Sequence, residues 1–260
     1  MFKKTDMKYY GLSDIGLVRE ENQDYCVAEK ICNNAYLFVV CDGMGGANGG
    51  KYASRTACSV FVEQMKLRLS KYLESEKLPK RVSKDIPRYM EDSLAHTNTR
   101  IFELSQENDC YQGMGTTLVA MFVIDERAFV INVGDSRAYY FSCGNLLQIT
   151  KDHSYVQFLI DSGKISREEA LSHPQKNVIT RSVGAYGEIK ADIFELELKY
   201  FESVLLCTDG LTNFVDFNKI LEIISNNDDL KICVETLVAL AKSGGGRDNI
   251  TAILVENSKG

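Results

Sequence analysis

Four aspartates stand where a carboxylate is expensive, beside apolar runs rich in β-branched residues. Asp42 ends Tyr36-Leu-Phe-Val-Val-Cys and is followed by Gly43. Asp209 ends Val204-Leu-Leu-Cys-Thr and is followed by Gly210. Asp135 follows Phe129-Val-Ile-Asn-Val-Gly, and Asp248 with Asn249 precedes Ile250-Thr-Ala-Ile-Leu-Val. A carboxylate beside a buried strand costs free energy unless it is paired or bound to a cation. Any one of these positions reads equally well as a turn, where Asp and Gly are favoured for backbone reasons. Four together, with no matching set of lysines or arginines, favour a fold that gathers strand ends around a shared cation. Oxygen-only donors select hard ions such as Mg²⁺, Mn²⁺ or Ca²⁺. The histidines His96, His153 and His173 are too scattered for a zinc motif.

The runs themselves predict short strands at 25–31, 35–41, 116–124, 128–133, 136–141, 189–198, 204–207 and 250–256. Turn residues between them point to antiparallel sheet. Ala53, Ala57, Phe61 and Met65 recur every fourth residue, and Ile86, Met90, Leu94, Ile101 and Leu104 share a second helical face with Pro87 near its start. Further helices are expected over 219–225 and 231–242. Strands and helices in blocks indicate α+β layers, not an alternating parallel sheet. Residues 153–183 read differently, as short helices joined by loops, with a capping box at Ser166 and Glu169. We expect a single domain over 1–260, with 153–183 as a lid insertion.

Composition narrows the function. The net charge of -6 argues against a nucleic-acid binder. The basic stretch 77–84 lacks aromatics and reads as a solvated loop. Eight cysteines without a CxxC spacing are expected to be reduced and mostly buried, as in a cytoplasmic protein. Residues 1–10 are polar and carry no apolar signal core. The longest apolar stretch, Leu118 to Ile124, is far short of the ~18 residues that a membrane span needs.

Motifs then follow one another along nearly the whole chain. They are Ser13-Asp-Ile-Gly with Arg19-Glu-Glu-Asn-Gln-Asp24, Val40-Cys-Asp-Gly-Met-Gly-Gly46, Gly113-Met-Gly-Thr-Thr117 and Val133-Gly-Asp-Ser-Arg-Ala-Tyr139. Thr150-Lys-Asp-His-Ser154, Arg181-Ser-Val-Gly184, Leu206-Cys-Thr-Asp-Gly-Leu211 and Arg247-Asp-Asn-Ile-Thr251 complete the series. In this order they resemble the metal-dependent type-2C serine/threonine protein phosphatases in their bacterial form. The resemblance implies two antiparallel β-sheets packed as a sandwich with α-helices on both sides, a four-layer αββα fold. It implies two Mn²⁺ or Mg²⁺ ions bridged by Asp42, with the Gly43 carbonyl on one ion and Asp209 and Asp248 on the other. Asp24 would hold metal-bound water, Asp135 with Asp209 would bind a third, weaker ion, and Arg19 would grip the substrate phosphate. Phosphorylated proteins, among them a serine/threonine kinase and its targets, are the partners so implied, for a monomer bound to neither nucleic acid nor membrane.

Those roles suit the chemistry. Two cations ~4 Å apart neutralise a phosphomonoester and lower the pKa of a bridging water, which then attacks phosphorus directly. An arginine fork matches phosphate bidentately. No cysteine nucleophile is needed, so Cys41 and Cys207 are assigned to packing. Two positions depart from the eukaryotic pattern: Met44 replaces a histidine, which leaves metal-bound water as the leaving-group acid, and Gln23 replaces a glutamate, which weakens the hold on the second ion. A P-loop NTPase is the sharpest rival, since Gly45-Gly-Ala-Asn-Gly-Gly50-Lys51 satisfies GxxxxGK; Tyr52 stands where that motif needs a hydroxyl for Mg²⁺. A non-catalytic phosphoprotein binder is the other, and the retained aspartates speak against it.

Overall fold

A computed structural model describes residues 5–107, 109–199 and 202–259. Its strands are β1 (Thr5–Asp14), β2 (Asp24–Cys32), β3 (Ala35–Met44), β4 (Gly115–Thr116), β5 (Leu118–Ile124), β6 (Arg127–Val133), β7 (Arg137–Ser142), β8 (Asn145–Gln148), β9 (Asp192–Glu197), β10 (Ser203–Cys207) and β11 (Ile250–Lys259). The helices are α1 (Gly46–Leu69), α2 (Ile86–Glu107), α3 (Tyr155–Asp161), α4 (Arg167–Leu171), α5 (Asp209–Thr212), α6 (Phe217–Ser225) and α7 (Leu230–Ser243). One sheet has the order β1-β11-β10-β7-β8; the other runs β2-β3-β5-β6-β9, with β4 pairing the end of β3. Every pairing is antiparallel.

The period of two in a strand sorts the apolar runs into layers. In β3, Leu37, Val39 and Cys41 face α1 and α2, while Tyr36, Phe38 and Val40 face the other sheet. Strand β5 divides the same way, Phe122 toward the helices and Val119, Met121 and Val123 toward the sandwich interior. Across the interior these meet Ala138, Val204, Leu206, Ile253 and Val255, whose neighbours Leu205, Cys207, Ala252 and Leu254 point outward onto α6 and α7. Both sheets are thus covered on both faces, which is why the central strands read as unbroken apolar runs. The expected αββα sandwich is the observed fold. The P-loop rival fails here: the sheet beneath Gly45–Lys51 is antiparallel, and the Lys51 ammonium is bound to Glu21 at 2.7 Å.

Two expectations are corrected. The polar start hides an edge strand: β1 pairs β11 over ten positions, from Thr5↔Lys259 to Asp14↔Ile250. Residues 1–4 lie outside the described residues. The stretch 77–84 is not a purely solvated loop, for Leu78 and Val82 are buried in the helix-side core. The chain changes sheets across residues 134–136, since β6 lies in one sheet and β7 in the other. The segment 153–183 does hold two short helices, and α4 carries the expected capping box at Ser166 and Glu169.

Phe38 fills the interface between the sheets with no exposed surface. Phe38→Ala should cost about 3–5 kcal/mol, read as a lower urea midpoint at unchanged slope.

Candidate metal centre

Register carries the aspartates to one end of the sandwich. Asp24 opens β2 directly opposite Asp42 near the end of β3. Cys207, the last residue of β10, pairs with Arg137 and Ala252, which brings Asp209, Asp135 and Asp248 to the adjoining end of the other sheet. Hydrogen bonds close the seam between sheets. The Thr208 hydroxyl donates to Asp24 Oδ2 at 2.9 Å, and the Gln23 backbone N–H donates to Asn249 Oδ1 at 2.8 Å. Glycines make the approach possible. A Cβ on Gly43 would lie 2.0 Å from the Gly50 carbonyl oxygen, and one on Gly210 would lie 1.9 Å from that of Asn249.

Burial pushes Asp24 up to about 7, against the opposing help of Thr251 and Thr208. Burial likewise raises Asp135 to about 8, with the Asp209 charge adding to it. Asp42 is raised well above the usual range by burial and then by Asp24, Asp209, Asp135 and Asp248 in turn, so its carboxylate feels all four others. Asp209 is raised by burial and by Asp248, although the Asn213 amide donates to its Oδ2 at 2.9 Å. Asp24 Oδ1 and Asp135 Oδ1 are buried without any hydrogen-bond partner. Such oxygens are costly unless something unseen satisfies them. Among the described residues no three His, Cys, Asp or Glu side chains draw together into one ion-binding group. Carbonyl and water oxygens would therefore have to complete any coordination shell.

The cations nearby are few and engaged. Arg19 donates from Nη2 to Asp248 Oδ2 at 2.9 Å and is otherwise half exposed. Arg137 grips Asp152 with Nε and Nη2, at 2.9 and 2.7 Å; burial works against its charge, but Asp152 and Tyr139 together outweigh burial and hold it protonated. Gln23 is held by its neighbours. Its side-chain amide donates to the Gly46 carbonyl at 3.0 Å, which a glutamate could not do. Burial raises Cys207 to about 12, in keeping with packing alone.

One cluster escaped the sequence reading. His153 Nδ1 accepts the Gly134 N–H at 3.1 Å, and its Nε2 lies 3.0 Å from Arg181 Nη1 and 3.2 Å from Asp192 Oδ2. Burial lowers the His153 pKa, while Asp192 also takes Arg181 at 3.1 Å. These groups fasten both ends of 153–183 to the turn that bears Asp135. Their motifs were visible, but their meeting in space was not.

A two-sheet sandwich with a carboxylate-lined end has known counterparts: the chain belongs to the protein phosphatase 2C family, whose model matches residues 18–254. It is accordingly an enzyme of the protein phosphatase class. It is 34% identical over 244 residues to the serine/threonine phosphatase stp of Listeria monocytogenes, covering 94% of this chain and 93% of that one. The crystal structure of serine/threonine phosphatase Stp1 from Staphylococcus aureus superposes with a TM-score of 0.87 at 33% identity, covering 98% and 97% of the two chains. The catalytic domain of the serine threonine protein phosphatase PstP, solved in complex with two manganese ions, gives a TM-score of 0.81 at 30% identity, covering 96% and 97%.

The raised carboxylates set a pH dependence for the cation-free protein. Unfolded aspartates titrate near ~3.9, so between there and the folded values the native state binds more protons. Stability from these groups is full below the unfolded pKa and is lost as pH rises through about 7 to about 8. In EDTA, Tm should fall from about pH 5.5 to about pH 8.5, and Asp135→Asn should flatten that fall.

Proposed function

We propose that the chain removes phosphate from phosphoserine and phosphothreonine in proteins, using Mn²⁺ or Mg²⁺ held at the carboxylate-lined end of the sandwich. The observation that carries this is the pair of buried, partnerless oxygens, Asp24 Oδ1 and Asp135 Oδ1, both belonging to carboxylates whose charge reaches an Asp42 that feels all four neighbours. An oxygen-only set with so little cationic compensation suits a hard divalent ion. The two manganese ions of PstP support the same reading.

Asp42, the Gly43 carbonyl, Asp209 and Asp248 would hold two ions, with Asp24 beside them. Asp135 and Asp209 would hold a third. When bound, such ions offset the phosphate dianion and acidify the water that attacks phosphorus. Arg19 keeps donors beyond the one given to Asp248, and these orient the substrate phosphate as a fork. Met44 cannot donate a proton, so the chain itself offers no acid at that position. Thr117 fixes Asp42 from both sides: its hydroxyl accepts the Asp42 N–H at 2.9 Å and its N–H donates to the Asp42 carbonyl at 2.8 Å.

The segment 153–183 acts as the lid of a single catalytic domain over 1–260, a reading supported by its fastening beside Asp135. Phosphorylated proteins, including a serine/threonine kinase and its targets, are the substrates of a monomeric enzyme. The cytoplasm suits eight cysteines with no disulfide among the described residues. No helix among those residues is long and apolar enough to cross a membrane.

Phosphate release from a phosphothreonine peptide should require Mn²⁺ and vanish with EDTA or Asp42→Ala; activity that ignores both would defeat the reading. Asp209→Asn should lower turnover by roughly 10²-fold with the fold intact, and near-normal turnover at saturating Mn²⁺ would remove Asp209 from the site. Arg19→Ala should raise KM for the phosphopeptide by about 10-fold and disturb Mn²⁺ affinity less; an unchanged KM would end its phosphate role.

A further inference from the structure

Beneath Asp24 lies a closed circuit of hydrogen bonds that no role above uses. The Asn22 amide donates to Ser13 Oγ at 2.9 Å, and Ser13 Oγ meets Thr251 Oγ1 at 2.7 Å. The Thr251 N–H donates to Thr208 Oγ1 at 3.0 Å, and Thr208 Oγ1 donates to Asp24 Oδ2 at 2.9 Å. The Asp24 N–H returns to Asn22 Oδ1 at 3.1 Å. The circuit ties β1, β2, β11 and the β10–α5 junction together.

Its polarity is fixed. Thr208 Oγ1 accepts from a backbone N–H, so its single proton is free to go to the carboxylate. Thr208 is the N-cap residue of α5, where a threonine hydroxyl ordinarily accepts from the helix's own N–H groups. Here it makes no capping bond. Its hydroxyl is turned to Asp24 instead. Asp24 is thus held through Oδ2, while Oδ1 stays buried with no partner.

We propose that Thr208, its proton directed by the Thr251 N–H, is a positioning residue that holds Asp24 by one oxygen so that the other is presented to the cation site. A circuit serving only to join the sheets would gain nothing from a carboxylate at its centre, since the second oxygen is left buried and unsatisfied. The hydroxyls act before any substrate binds, so their effect belongs to cation affinity and not to phosphate recognition. The inference rests on the metal reading of this site.

The test is calorimetric titration of Mn²⁺ into the full chain, beside Tm measured in EDTA. Thr208→Val keeps shape and removes the donor; we expect about 10-fold weaker Mn²⁺ affinity, with Thr208→Ser restoring it to about the wild-type value. Ser13→Ala breaks the circuit two bonds from Asp24 and should weaken affinity in the same direction, which keeps the test alive if the valine variant does not fold. Mn²⁺ affinity unchanged in folded Thr208→Val and Ser13→Ala, with only the EDTA Tm lowered, would overturn the positioning role. Absence of Mn²⁺ uptake by the wild type is a separate result and would overturn the metal reading together with the inference built on it.

Discussion

Mutual repulsion among carboxylates at one end of the sandwich is the constraint around which the rest is arranged. Asp42 is raised by burial and by four other aspartates, and the nearest cations are committed elsewhere: Arg137 to Asp152, Lys51 to Glu21 and Arg19 in part to Asp248. Without a counter-charge, such a cluster favours protonation or loosening of the strand ends. The fold answers with rigidity. Glycines at 43 and 210 let backbones approach more closely than any Cβ would permit. Thr117 clamps Asp42, and the Asn22–Ser13–Thr251–Thr208 circuit clamps Asp24.

The layers supply that rigidity. Each sheet is covered by helices outside and by the other sheet inside, so its strand ends cannot swing away without opening one of three apolar interfaces. Close packing makes such displacements costly even when small. A site made from strand ends inherits this stiffness, and carboxylates can be kept near one another before any ion arrives.

How much of this could be read from the chain depended on whether a residue's role was local. Runs such as 36–41 and 118–124 were legible as strands because both their faces are buried. Strand β1 was not: as an edge strand it mixes buried Met7 with exposed Tyr9 and polar neighbours, and its pairing partner lies some 240 positions away. Asp42, Asp135, Asp209 and Asp248 stood out by their place beside apolar runs. Asp24 came only through its motif, because no apolar run precedes it. Thr208, Thr251 and His153 sat inside recognised motifs, yet what they hold is set by tertiary approach, and no spacing rule reports that.

Strand order in the first sheet carries a kinetic consequence. Strand β11 comes last in the chain among the described elements, but it lies inside the sheet, hydrogen-bonded to β1 on one side and β10 on the other. Until it arrives, β1 has no strand partner and Thr208 lacks the Thr251 N–H. Contacts of such long sequence separation form late. The sheet holding β2 and β3 is built from nearer neighbours and carries Asp24 and Asp42, while Asp135, Asp209 and Asp248 stand at the end of the other sheet. The centre is therefore incomplete until β11 is in place, because Asp248 and the Thr251 N–H come with it.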